Sequence, residues 1–122
     1  MMTDEILLKW VTEYKKGFSK PIILLALAKK ENYPYNLTRE ITEKTKGHIA
    51  IAGSNIYPIL KNLVNDGLIQ KEKVAKPTKS ENSSKKQYRS VYSLTTAGEE
   101  LLEDLKGSLK EFIDIMDELI EE

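Results

Sequence analysis

SNIYPILKNLVNDGLI, running from Ser54 to Ile69, is the stretch that decides how this chain folds. Ser54 carries a side-chain oxygen suited to the orphan N–H groups of a first helical turn. Pro58 follows in or near that turn, where its missing N–H costs little. Ile56, Ile59, Leu60, Leu63 and Val64 recur at three- and four-residue spacing and form one buried stripe. Asn65-Asp66-Gly67 offers a stop at a residue free to turn left-handed, and Leu68 can close that cap with an apolar contact. The spacing therefore predicts a helix over Ser54–Asn65 that runs directly into a strand. Asn55, Tyr57, Lys61 and Asn62 are left on or beside its outer face, and these are side chains that reach phosphates and base edges. A helix of this build followed by a hairpin is the reading helix of a winged helix-turn-helix.

Downstream the apolar period shortens to two. Leu68–Val74 and Gln87–Leu94 read as paired strands, with Tyr88, Tyr92 and Leu94 on one face. KPTKSENSSKK, from Lys76 to Lys86, is polar throughout and predicts the tip of a long basic wing. Upstream, Asn36 is placed to cap a helix over Leu37–Lys46 stopped by Gly47, after a turn at Asn32–Asn36. Ser19 caps the helix before it, with Pro21 in the first turn and Ile22–Ala28 nearly all buried. Ile49 and Ile51 alternate with alanines, which suggests a short strand in the connector.

Two further helices flank this unit. In Asp4–Lys16, Ile6, Trp10 and Tyr14 make an i, i+4 stripe with Leu7 and Val11 beside it. In the last helix, opened by a capping box at Thr96 to Glu99, Leu102, Leu105, Leu109, Phe112, Met116 and Leu119 follow 3-4 spacing. Both apolar faces exceed what so small a domain can cover, so they are read as the contact of a two-fold homodimer; the alternative is a last helix folded back on its own domain. The expected class is mainly α with a small β-hairpin wing. Residues 1–18 would form an N-terminal dimer contact, 19–95 the winged helix-turn-helix domain, and 96–122 a C-terminal dimerisation helix.

The 122 residues suit one domain with an appended helix. Lys and Arg balance Asp and Glu at 19 each, which by itself argues against a polyanionic partner. The charges are segregated, however. Tyr33–Leu94 holds eleven Lys/Arg against five Asp/Glu, whereas Thr95–Glu122 holds two against ten. Cysteine is absent, so disulfides and thiolate chemistry are excluded. Charged residues interrupt the N-terminal apolar positions, and the longest apolar run, Pro21–Ala28, is far shorter than a membrane span. A cytoplasmic protein without membrane attachment is expected. His48 is the one histidine and lies in a connector, so no metal cluster, cofactor or catalytic constellation is expected. The carboxylates of the last helix lie opposite its apolar seam and read as a solvated face.

From Ile22 to Leu102 the chain resembles the PadR family of transcriptional regulators. The resemblance rests on Ile22–Leu27, Tyr33-Pro34-Tyr35, Ser54–Leu60, Leu63–Ile69 and Val91–Gly98. The single C-terminal helix is similar to that of the shorter family subgroup. The resemblance implies a homodimer that represses transcription by binding an inverted-repeat operator in double-stranded DNA. It implies that Tyr57 contacts the DNA backbone, that Ser54, Asn55 and Lys61 lie on the matching helix and that Tyr35 stands near the phosphates; with Thr38, Arg39 and the wing cations Lys85, Lys86 and Arg89 these make the expected DNA-facing set. Two positions depart from the family pattern. Pro34 replaces a usual Gly, and Ser83-Ser84-Lys85-Lys86 stands where Gly-Arg-Pro is common. Lysines are point charges and read groove shape less well than arginine, so the wing is expected to add affinity more than specificity. The resemblance also implies a small aromatic effector between the terminal helices. Trp10, Tyr14, Phe112 and Met116 are its candidate lining, but side chains of this size are large enough to fill the seam, and a dimer core without a cavity is the favoured reading. The competing reading is a winged-helix module that docks another protein and binds no DNA.

Overall fold

The computed structural model describes residues 2–76 and 87–122. In chain order the elements are α1 (Met2–Lys16), α2 (Ser19–Lys29), α3 (Pro34–Lys44), α4 (Gly53–Asn65), β1 (Ile69–Ala75), β2 (Tyr88–Leu94) and α5 (Thr96–Glu121). The protein is thus mainly helical with one antiparallel hairpin, whose register runs from Ile69 opposite Leu94 to Ala75 opposite Tyr88. Residues 77–86 of the predicted wing tip, including Lys79, Lys85 and Lys86, lie outside the described residues.

One core serves α2, α3, α4, the base of the hairpin and the first turns of α5. Ile23, Leu24, Leu27, Leu37, Ile41, Ile56, Leu60, Leu63, Ile69 and Leu102 are all buried in it. Each such side chain contributes roughly 1.5–3 kcal/mol relative to exposure. The stripe read from Ser54–Ile69 faces this core, with Ile59 and Val64 at its margin. Leu102, expected in the dimerisation seam, is buried in the protomer's own core, and Leu105 packs against that core. The heptad continues past the point where its role changes.

The helix starts differ from the sequence reading. Asn36 does not cap α3, because the helix opens three residues earlier, with Tyr33 as N-cap and Pro34 in the first turn. Proline suits that position, since its fixed φ is already helical and its absent N–H would have had no helical partner. The residues read as a turn, Asn32–Asn36, are therefore largely helix. Ser54 is likewise not a cap. Ala52 precedes α4 without a side-chain bond, and its carbonyl accepts from Asn55 N at 2.9 Å and Ile56 N at 3.1 Å. Pro58 consequently lies inside the helix beyond the first turn. There it leaves the Ser54 carbonyl without its i+4 donor.

No strand forms at Ile49–Ile51. Ile49 N donates instead to Thr45 Oγ1 at 3.1 Å, while that hydroxyl donates to Ile41 O at 2.8 Å, so the connector hangs from the end of α3. The third position against the hairpin is taken by Asn32. Its N–H donates to Tyr92 O at 3.0 Å and its carbonyl accepts from Tyr92 N at 2.7 Å. A single residue between two helices carries no period-two pattern, which is why the alternation at 49–51 drew the assignment.

The end of α4 is as read. Gly67 has φ +75°, Gly67 N donates to Val64 O at 2.9 Å, and Leu68 N donates to Leu63 O at 3.1 Å. This pair of bonds is a Schellman cap. The start of α5 is fastened to that cap. Thr95, not Thr96, is the N-cap. Its Oγ1 accepts from Gly98 N at 3.0 Å and donates to Gly67 O at 2.6 Å. Thr95 N donates to Leu68 O at 3.1 Å. A Cβ on Gly98 would overlap the Leu68 carbonyl, so only glycine lets the two segments meet this closely. Gly98 occupies the position a capping-box glutamate would need, and the capping box read at Thr96–Glu99 does not form.

Candidate nucleic-acid interface

α3 and α4 are neighbours through Leu37 and Ile41 on one helix and Ile56, Leu60 and Leu63 on the other, all buried. Burying those stripes turns the opposite faces outward. On α4, Ser54, Asn55, Tyr57, Lys61 and Asn62 are exposed, with Tyr57 60 % accessible. On α3, Tyr35 stands 74 % accessible in the first turn and Arg39 is exposed beyond it. Thr38 between them is half-buried and donates to Tyr35 O at 2.7 Å, which leaves its oxygen able to accept. The hydrophobic period thus places on two adjacent helices most of the side chains assigned from sequence. Lys85 and Lys86 lie outside the described residues.

Arg89 is held in a way the sequence did not reveal. Its guanidinium carbon lies 4.0 Å from the centre of the Tyr33 ring, a cation–π contact worth about 0.5–1 kcal/mol. Its Nε is buried without a hydrogen-bond partner among the described residues. The contact ties the first residues of β2 to the N-cap of α3, next in sequence to the Asn32 that bridges Tyr92. Tyr92 is buried, and its phenol pKa is raised, first by that burial and then by the nearby Tyr57 phenol.

Electrostatics behind this face are paired. Lys30 Nζ lies 2.8 Å from Glu40 Oε1. The Lys30 hydrogen bond lowers the Glu40 pKa against the opposing effect of burial, with Lys44 and Asn32 helping. Arg39 and Lys61, with Lys71 and Lys73 of β1, are exposed cations.

The terminal helices present another kind of surface. α1 buries no residue. Ile6, Trp10 and Tyr14 are exposed, Trp10 by 65 %. Along α5, Leu109 is half-buried while Phe112, Met116 and Leu119 are exposed, Phe112 by 54 %. Trp10, Tyr14, Phe112 and Met116 do not line a common cavity within the protomer. Among the described residues no group of three His, Asp or Glu side chains could hold a metal ion, and no helix is long and apolar enough to cross a membrane. His48 is exposed in the turn after α3.

Residues 23–104 match the model of the transcriptional regulator PadR-like family. The chain belongs to that family. As a PadR-like regulator it is not an enzyme. A PadR-like transcriptional regulator from Bacillus cereus shares 28 % identity, with 86 % of this chain and 93 % of that one covered and a TM-score of 0.68. One from Eggerthella lenta superposes with a TM-score of 0.73 at 21 % identity, covering 98 % of this chain and 96 % of that one. Bacillus subtilis PadR, solved in complex with operator DNA, is 30 % identical with a TM-score of 0.59, covering 70 % of this chain. This chain spans only 45 % of that longer protein. No protein of curated function matches this chain in sequence. The lock between Gly67-Leu68 and Thr95–Gly98 gives a physical reason for two motifs that carried the resemblance: one caps α4, the other seats α5 on that cap.

Proposed function

We propose that this PadR-like regulator is a cytoplasmic repressor that binds an inverted-repeat DNA operator as a homodimer. The observation that carries the reading is the outward face shared by α3 and α4, polar and cationic over a closed apolar core. Asn55 at the start of α4 reads base edges in the major groove. Ser54, Tyr57, Lys61, Tyr35, Thr38 and Arg39 fix the protein on the backbone. Lys85, Lys86 and Arg89 follow an adjacent phosphate strand, with Arg89 steadied by Tyr33. The structure of Bacillus subtilis PadR with operator DNA supports double-stranded DNA as the partner class.

The division of labour follows the sequence reading. Residues 19–95 hold the DNA, and residues 1–18 and 96–122 join two protomers through Ile6, Trp10, Tyr14, Leu109, Phe112, Met116 and Leu119. Two α4 helices so related reach half-sites about 34 Å apart. A small aromatic effector would enter between the terminal helices, against Trp10, Tyr14, Phe112 and Met116. The test is a mobility-shift titration at low salt with DNA from upstream of the chain's own reading frame, beside a random duplex. Tighter binding of the upstream DNA is expected. Absence of any shift with either duplex would leave the fold to a protein-docking role.

A further inference from the structure

The cations of the hairpin strands are held differently. Lys71 and Lys73 of β1 are exposed, whereas Arg89 of β2 is half-buried, with its guanidinium carbon 4.0 Å from the centre of the Tyr33 ring. The ring covers one face of the group and Nε is closed off from solvent, so a ligand reaches it through the two terminal nitrogens. Among the described residues these nitrogens have no hydrogen-bond or ion-pair partner. Two N–H donors on a rigid plane match two oxygens of a phosphate, a geometry that an ammonium does not offer.

The platform beneath the guanidinium is itself fixed. Tyr33 is the N-cap of α3. Its N–H donates to Asn32 Oδ1 at 2.9 Å, its carbonyl accepts from Leu37 N at 2.9 Å, and the buried Pro34 follows it. Asn32 in turn is bonded through its N–H and its carbonyl to Tyr92, three residues along β2 from Arg89. Ring and guanidinium thus hang from one closed loop of bonds, and the ring sets where the arginine stands. The same turn of α3 carries the exposed Tyr35 two residues on, so it also fixes the offset between that phenol and the Arg89 fork.

Given the DNA-binding reading above, on which this rests, we propose that Tyr33 is a positioning residue: it holds the Arg89 fork ready for one backbone phosphate without touching DNA itself. An arginine free to rotate has to lose that freedom on binding, and one already stacked does not. Arg89 supplies the charge, and Tyr33 supplies its place.

The experiment measures binding of a random duplex by anisotropy across a salt series, for the full chain and its variants. Arg89→Gln should weaken binding and flatten the salt slope by about 1 unit per protomer. Tyr33→Leu should weaken binding about threefold per protomer while the slope stays as in the parent, because the charge remains. In the Arg89→Gln background the same Tyr33→Leu change should weaken nothing further. Tyr33→Phe, which keeps the ring, should bind as the parent does. Arg89→Lys keeps the charge and loses the fork, so it should share the affinity loss of Tyr33→Leu and its unchanged slope; it gives the answer even where Tyr33→Leu fails to fold. An equal loss from Tyr33→Leu in both backgrounds would make Tyr33 a purely structural residue and overturn the proposal. So would parent affinity in Arg89→Lys, or an unchanged slope in Arg89→Gln. These outcomes are read against a parent that binds DNA, so they leave the DNA-binding reading standing, whereas a parent that binds no duplex overturns both.

Discussion

The unit from α2 to β2 and the two terminal helices solve the same problem, an amphipathic helix in water, in different ways. In the central unit every apolar stripe finds its partner within the chain: α2, α3 and α4 bury Ile23, Leu24, Leu27, Leu37, Ile41, Ile56, Leu60 and Leu63 against one another. In α1 and the far half of α5 the stripes are as regular, yet Ile6, Trp10, Tyr14, Phe112 and Leu119 remain exposed. The difference teaches that periodicity reports an apolar face and not what covers it. Leu102 and Phe112 belong to one heptad seam, and one is core while the other is surface.

Substitutions on the two sides of this divide should behave differently. The largest expected effect on stability is Leu60→Ala, which opens a cavity at a fully buried site and should cost about 2–5 kcal/mol by denaturant unfolding. A loss below about 1 kcal/mol would mean that the central unit is not the closed core described here. Phe112→Glu should leave the helical signal of a dilute sample nearly unchanged while light scattering reports monomers. Operator affinity should fall by about a hundredfold, as the second half-site is no longer held near the first. Intact dimers in that variant would place the exposed half of α5 outside the interface.

On the DNA-facing side, Asn55→Ala should reduce the preference for operator over random duplex by roughly 1–3 kcal/mol, measured by competition. Equal losses on both duplexes would make Asn55 a backbone contact. Replacing Lys85 and Lys86 by Ala should weaken all duplexes alike and flatten the salt slope by roughly 1–2 units. An unchanged slope would remove the wing tip from the interface.

The smallest effect concerns pH. Glu40 is held below its ordinary pKa by Lys30. Its ion pair therefore adds stability above the unfolded carboxylate pKa, and that increment is lost as pH falls through the lowered folded value. Glu40→Gln should remove a small part of the acid limb of the stability profile and nothing at pH 10 beyond the constant offset of the lost pair. A profile parallel to the parent at every pH would show that Glu40 is not the titrating group.

Much of the central unit was legible residue by residue. The stripe of α4, the Asn65–Leu68 stop and the two strands come from spacing and from turn chemistry, both local properties. Where the reading failed, the deciding partner was distant in sequence. Asn36 and Ser54 look like caps, but Tyr33 and Ala52 take those places, three and two residues sooner. Asn32 bonds a strand sixty residues away, and nothing near it in sequence signals that bridge. Of the candidate interface, exposure of Tyr35, Asn55, Tyr57 and Lys61 followed from the position of the apolar stripe. The stacking of Arg89 on Tyr33 did not, because a cation and a ring 56 positions apart carry no shared pattern.

The sequence by itself determined which faces are apolar, where α4 stops, and that the middle of the chain is basic while its tail is acidic. These depend on side-chain identity at fixed short spacing, which a helix or strand converts directly into geometry. Only the tertiary structure decided that Thr95 and Gly98 lock α5 onto the cap of α4, that Leu102 is core, and that the Tyr33 ring seats Arg89. Each of these is a contact between remote segments, set by how the packed elements meet and not by any one of them.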